Sequence, residues 1–204
     1  VDLGVYKEYL INLYIGHFAS EGNPSLNKIF NALLEYNCKD LRIYIDSYGG
    51  LLQELIAFHN IIKTKYRKSC TTVLNSIGAS AGAFLFCCGS ERIAFENSQM
   101  MLHAASSGMM GKLNEMQSEF LFFQKHFIEF SESVLLKTRF LNKDEFTRLM
   151  RGEDFWFGAK ELAERNIANF IIVDGKVVKS KDYVLYLNKK KTKKELLASG
   201  SDWE

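Results

Sequence analysis

SIGASAGAFLFCCG, residues 76–89, is the stretch on which the reading of this chain turns. Gly78, Ala79, Ala81, Gly82 and Ala83 crowd around a single hydroxyl, that of Ser80, and an apolar run comes directly after. Residues this small do one of two things: they let two backbones approach closely, or they leave the hydroxyl open to something that must reach it. The segment before it, SCTTVLNS (69–76), is rich in β-branched and apolar residues and reads as a strand. The apolar run after it reads as a buried helix, with Ser80 at its start.

Working outward, the chain alternates strand with helix. YLINLYIG (9–16) reads as a strand, and PSLNKIFNALLEYN (24–37) has helical spacing at Leu26, Ile29, Phe30, Leu33 and Leu34, with Pro24 near its start. LRIYID (41–46) is again a strand, SYGG turns the chain, and LLQELIAFHNIIKTKY (51–66) is a second helix leading into SCTTVLNS. This order predicts an α/β fold with right-handed crossovers and a largely parallel sheet. ERIAFENSQMMLHAA (91–105) adds two shorter strands around a turn at Glu96 to Ser98. GKLNEMQSEFLFFQKHFIEFSESVLLKTRF (111–140) is the longest helical pattern; at helical rise it would extend about 45 Å. Its aromatics occupy more than one stripe, so a helix here needs partners on two sides, as a bent core helix or as an arm packed on another subunit. NKDEFTRLMRGEDFW comes next, then GAKELAERN as a short amphipathic helix, and FIIVDGKVV closes the fold as a strand and turn at Asp174 and Gly175.

Composition bounds the possibilities. At 204 residues, 47% hydrophobic and 25% charged, the chain is long enough for one substantial core in one domain. A net charge of +2 is too small to argue for nucleic acid or an acidic partner, and the lysines of LNKKKTKKELLASGSDWE read as a solvated tail. Cys38, Cys70, Cys87 and Cys88 lack paired metal or disulfide spacing, and Cys87 and Cys88 sit in an apolar run, so free thiols in a reducing, cytoplasmic compartment are expected. No apolar run approaches the roughly 20 residues of a membrane span, and VDLGVYKEYLINLYIG does not read as a signal peptide. The chain begins without methionine, which reads as a processed or trimmed form.

A serine hydroxyl is a weak nucleophile at neutral pH, so a reactive Ser80 needs a base, a group that orients the base, and donors for an oxyanion. Of the four histidines, His17 and His59 read as ordinary partly exposed positions and His126 lies within the long helical segment. His103 ends the strand MML and opens into the small stretch AASSG, where strand ends of open sheets commonly line a cleft. An isolated imidazole there more often satisfies its neighbours than catalyses. For the oxyanion, the glycines of SYGG (47–50) can turn their N–H groups outward, and Ala81 offers an N–H at a helix start. Ordinary turn chemistry explains a GG pair equally well.

The order of these pieces resembles a known family. DLRIYIDSYGG, then GASAGAFLFCCGSERIAFENSQMMLH, then GEDFWFGAKELAERNIAN is similar, from about residue 9 to 173, to the proteolytic subunit of the Clp protease. The resemblance implies a ClpP/crotonase-like spiral of β-β-α units with a protruding handle helix over about 111–140. It makes Ser80 the nucleophile, His103 the base and Asp154 the third triad member, with Glu153 and Asp174 as nearby acidic alternatives. It places the oxyanion donors at Gly50 and Ala81, with Gly49 shaping the turn. SSGMMG (106–111), including Ser106, Ser107, Gly108 and Met109, becomes the edge against which a substrate peptide adds as a strand. Tyr48 stands where the family usually has proline, and Ala104 and Ala105 where glutamine and proline usually come after the histidine.

The function implied is a serine endopeptidase acting through an acyl-enzyme, with no metal or organic cofactor. The partners implied are copies of itself in a heptameric ring or stacked rings, an AAA+ unfoldase, and unfolded protein or peptide substrates, with no nucleic acid and no membrane. The expected organisation is a short N-terminal segment (1–8), one peptidase domain (9–185) and a lysine-rich tail (186–204). Two rivals come from other classes: a crotonase-type acyl-CoA enzyme, which would not need Ser80, His103 and Asp154 together, and an inactive ring subunit that keeps the handle without acylation.

Overall fold

A computed structural model describes residues 10–15, 29, 33–35, 39–106 and 110–199. The N-terminal segment 1–8, most of the helix expected over 24–37, and Ser107, Gly108 and Met109 lie outside the described residues, while Ile29 and residues 33–35 are helical. The strands are β1 (Leu10–Ile15), β2 (Asp40–Ser47), β3 (Cys70–Ala79), β4 (Glu91–Phe95), β5 (Gln99–Leu102), β6 (Phe155–Gly158), β7 (Phe170–Val173) and β8 (Lys176–Lys179). The helices are α1 (Leu52–Lys65), α2 (Ala81–Cys88), α3 (Leu113–Ser131), α4 (Lys143–Met150), α5 (Ala159–Glu164) and α6 (Ser180–Ser199). α6 runs through position 186, so the boundary expected between domain and tail falls inside one helix.

The strands form one mixed sheet that forks at β3. β1, β2 and β3 pair in parallel. The first part of β3, Thr71–Leu74, pairs in parallel with β4, and its last part, Ile77–Ala79, pairs in parallel with β5. β4 continues in parallel to β7, whose antiparallel partner is β8, while β5 takes β6 as an antiparallel partner. The fork originates in an irregularity: Ile45 lies opposite Leu74 but Ser47 lies opposite Gly78, so β3 carries extra residues there. Asn75 and Ser76 are exposed at that bulge, and the Ile77 N–H donates to Asp46 Oδ1 at 3.3 Å. Such a bulge bends a strand and re-aims the residues beyond it, here the stretch that ends in Ser80.

Alternation along β2 buries Leu41, Ile43, Ile45 and Ser47, while Arg42, Tyr44 and Asp46 take the other face, as a period of two requires. α1 lays Leu55, Phe58, Ile61 and Ile62 on the core, whereas α2 is buried nearly all round, from Ala81 to Cys87. Cys70, Cys87 and Cys88 are free thiols; burial pushes Cys70 and Cys87 up to about 12, which leaves them protonated and inert. The segment expected as one helix over 111–140 is interrupted: α3 ends at Ser131, a π-helical turn occupies Glu132–Leu136, and Arg139 at φ 64° closes it. The wide turn keeps Val134 and Leu135 buried on the same side as Phe127 and Phe130. Farther back on α3, Phe120, Leu121 and Phe122 are exposed. No helix among the described residues is long and apolar enough to cross a membrane.

Arg92 on β4 ties the back of the sheet together without a carboxylate. Its Nε donates to Ile167 O at 2.5 Å, Nη1 to Gly89 O at 2.8 Å and Nη2 to Asn166 O at 3.3 Å, with the guanidinium 4.8 Å over the Phe140 ring. Burial draws its pKa down, yet the carbonyl dipoles keep the cation satisfied. Arg92→Met removes the donors and leaves three carbonyls to be rehydrated or orphaned. The expected cost is about 2–3 kcal/mol, a fall in Tm of roughly 5–10 °C. Thermal melting monitored by circular dichroism checks this; an unchanged Tm would contradict it.

Candidate active site

Ser80 stands between β3 and α2 in a conformation that L-residues avoid, with φ 54° and ψ −124°. Non-glycine residues in such regions carry on the order of 1–3 kcal/mol of strain. Both sides of its peptide hold it there. Its N–H donates to Met101 O at 2.9 Å, and its C=O accepts from Ala83 N at 3.0 Å and Phe84 N at 3.2 Å. The first bond fastens Ser80 to β5 and the others fasten it to α2, while the side chain remains half-exposed.

The small residues around Ser80 are explained by contact. A Cβ on Gly78 would lie 2.7 Å from Leu74 Cδ1, and one on Gly82 would lie 2.9 Å from Ser47 O. α2 therefore rests directly on the end of β2. Gly49, at φ +106°, is closer still: an added Cβ would sit 2.6 Å from Ser80 Cβ and 3.0 Å from Ala81 N. Ser47, fully buried, accepts the Gly49 N–H on its Oγ at 3.1 Å. That bond takes one amide of the turn out of contention and leaves the exposed Gly50, at φ 148°, to present the next. Ala81 N–H is the first of α2 and has no acceptor within its own helix.

Strand register brings the other two polar residues to the same edge. Ala79, the last residue of β3, pairs with Met101 of β5, and Leu102 pairs with Phe155 of β6. The next residue along each ladder is Ser80 after Ala79, His103 after Leu102 and Asp154 before Phe155, so all three adjoin the same end of neighbouring strands. His103 is half-buried and Asp154 exposed. Among the described residues the three side chains share no hydrogen bond. All three lie just beyond the ladders that would lock them, and catalytic hydrogen bonds commonly close only around substrate.

The alternatives sit elsewhere. Glu153 is engaged by Arg148, whose Nε donates to Oε2 at 2.6 Å and which draws the Glu153 carboxyl below its usual range. Asp174, at φ 48°, belongs to the turn between β7 and β8, beyond β4. His59 lies edge-on to Phe130 at 5.2 Å, and burial together with the Lys63 charge holds its pKa down, so it packs as a neutral ring. His126 packs edge-on against Phe122 on α3 at 4.2 Å. His17 lies outside the described residues, and among those described no group of His, Cys, Asp or Glu is arranged to hold a metal ion.

Sequence reasoning did not find the cavity lined by the two alanines that come after His103. It measures about 110 Å³ and is lined by Ala104 and Ala105, by Phe123, Gln124 and Phe127 of α3, and by Met150. The two alanines directly after the histidine were the available signal, since small side chains there leave room. Ser106, exposed at the end of this segment, leads toward the residues outside those described.

Over 154 residues, 72% of this chain and 71% of the relative, it is 27% identical to the ATP-dependent Clp protease proteolytic subunit 1 of Chlamydia felis. The same identity and coverage hold for the ATP-dependent Clp protease proteolytic subunit 2 of Chlamydia abortus. The Clp protease model matches residues 20–175, which take in the Gly49 turn, Ser80, His103 and Asp154, and by that match over most of its length this chain belongs to the Clp protease family.

Proposed function

We propose that the chain is a serine endopeptidase of Clp type, with Ser80 as nucleophile, His103 as general base and Asp154 as the group that orients His103. One observation carries the reading: β3, β5 and β6 are adjacent strands, and each adjoins one of these residues at its active-edge end. A strained serine at a strand-to-helix junction strengthens it, because a protein tolerates such a conformation where exposure of the hydroxyl matters.

In this mechanism Ser80 Oγ attacks the scissile carbonyl carbon while His103 takes the hydroxyl proton. The carbonyl oxygen becomes an oxyanion and accepts from Ala81 N–H and Gly50 N–H. As the C–N bond breaks, His103 passes its proton to the leaving amine, giving an acyl-enzyme ester; water then enters by the same proton transfers and frees Ser80. Asp154 stabilises the imidazolium formed in each half. The substrate lies as an added strand along 106–111, with Ser106, Ser107, Gly108 and Met109 beside it. An apolar side chain next to the scissile bond enters the cavity between Ala105 and Phe123.

The assembly belongs to the same reading: copies form rings of the heptameric kind, singly or stacked. α3 with its exposed Phe120, Leu121 and Phe122 serves as the handle between them, and an AAA+ unfoldase supplies unfolded polypeptide. Enclosure in a cytoplasmic chamber then restricts substrates by access, while the cavity selects among side chains.

A fluorophosphonate probe should modify Ser80, identified by peptide mapping. Among fluorogenic peptides differing only at the residue before the scissile bond, leucine or methionine should exceed aspartate in kcat/KM. Burial of such a side chain stabilises by about 1.5–3 kcal/mol, or roughly 10- to 100-fold. No labelling and no turnover from the assembled protein would instead favour the inactive-subunit reading.

A further inference from the structure

Asp154 is the most exposed of the three residues. It lies just outside β6, and comes after a tight reversal out of α4 in which Gly152 adopts φ +97°. Its position is therefore inherited from its neighbours, and both are held by one side chain. Arg148, in the last turn of α4, makes a two-pronged ion pair with Glu153 through Nε and Nη2. Its guanidinium also lies 5.3 Å over the ring of Phe155, and Asp144 Oδ2 approaches Nη1 at 3.5 Å. The backbone adds a bond from Glu153 N–H to Arg148 O at 3.1 Å.

We propose that Arg148 is a positioning residue for Asp154, gripping Glu153 on one side and Phe155 on the other so that the carboxylate between them stays opposite His103. This rests on the catalytic reading of Asp154 given above. Isolated surface ion pairs contribute little, but a planar fork that binds a carboxylate at two points and stacks on a ring at once restricts orientation as well as distance. The same device recurs one turn of the pleat away. Arg165 binds Glu145 of α4 at 2.7 and 3.0 Å and lies 5.2 Å over Phe157, whose ring stacks with Phe155. Together the two arginines clamp β6 to α4 on alternate residues. The directions of titration agree, since Arg148 holds Glu153 ionised and Glu153 raises the pKa of Arg148.

The test compares parent, Arg148→Ala and Arg148→Lys in the assembled protein by three readouts: peptide kinetics, fluorophosphonate labelling of Ser80, and amide hydrogen exchange of the 153–157 segment. For Arg148→Ala, kcat should fall roughly 10- to 100-fold, the cost of a misplaced catalytic group. KM and Tm should stay within twofold and about 2 °C of the parent, and exchange at 153–157 should quicken. Lysine, which keeps the charge without the fork, should recover only part of kcat. Unchanged exchange, unchanged kcat, or a kcat loss matched by a loss of folded protein overturns the positioning role while Ser80 still labels in the parent. A parent that neither labels nor turns over peptide overturns the catalytic reading itself, and the positioning role with it.

Discussion

Ser80→Gly is expected to abolish peptide hydrolysis and to raise the melting temperature. The two effects have separate origins. Loss of the hydroxyl removes the attacking atom, and kcat should fall by at least roughly 10,000-fold, as for removal of a triad nucleophile. The stability gain comes from the backbone, because φ 54° with ψ −124° is costly for serine and free for glycine. Relief of about 1–3 kcal/mol of strain, less about 0.5–1 kcal/mol for the greater freedom of unfolded glycine, leaves a net gain near 1 kcal/mol. For a chain of this size that is a rise in Tm of about 2–4 °C. Ser80→Ala is the control: equally inactive, but with the strain retained and no rise. Both variants should keep the parent's assembly and lose fluorophosphonate labelling. Melts must be compared at equal protomer concentration, since association shifts Tm by mass action. A glycine variant less stable than the alanine variant would mean the Ser80 conformation stores no strain, and a variant that still labels would place the nucleophile elsewhere.

The opposition of activity and stability at one residue also explains what was legible in the chain. Composition alone marked 76–89, because a hydroxyl ringed by glycine and alanine and trailed by an apolar run reads as strand, junction and buried helix. Close packing explains Gly78 and Gly82, which are small for contact with Leu74 and Ser47, while Ser80 itself stays half-exposed. The alternation of strand and helix from 41 to 105 was readable from periods of two and of 3.6. β3 nonetheless runs three residues past the expected Ser76, through a bulge that only its pairing with two different strands creates. β6 was not readable: FWFG is four residues, three of them aromatic, and no alternation separates it from a loop. Without β6 the sequence holds no reason for Asp154 to lie near the exit of β5, and only the family resemblance assigned it to the site. The grip of Arg148 on Glu153 was hidden for a similar reason, because a spacing of five residues across a helix end is neither a helical nor a strand neighbour.

Gly49→Ala should be among the most damaging single methyl additions in this protein, because two penalties coincide beside Ser80, where the proposed oxyanion donors lie. At φ +106° an alanine is strained by roughly 1–2 kcal/mol regardless of space. Space is absent as well: the new Cβ would lie 2.6 Å from Ser80 Cβ and 3.0 Å from Ala79 O and Ala81 N. None of these can swing aside as the end of a long side chain can. Ser80 is fastened by Met101 O on one side and by two amides of α2 on the other, and the Gly49 turn is fastened by Ser47 Oγ. The two segments must separate as bodies, which adds about 1–3 kcal/mol of overpacking. The sum, about 2–5 kcal/mol, predicts a fall in Tm of roughly 5–15 °C. Separation also draws Gly50 N–H away from Ala81 N–H, so the fraction that remains folded should lose about 100- to 1,000-fold in kcat, the cost of an oxyanion donor. Gly175→Ala is the control, with φ +73° and nothing within 4 Å of an added Cβ. It meets the backbone penalty alone and should melt within a few degrees of the parent with full activity. Equal behaviour of the two variants would mean that the contact between Gly49 and Ser80 does not set the site, and the donors would have to be sought at another pair of amides.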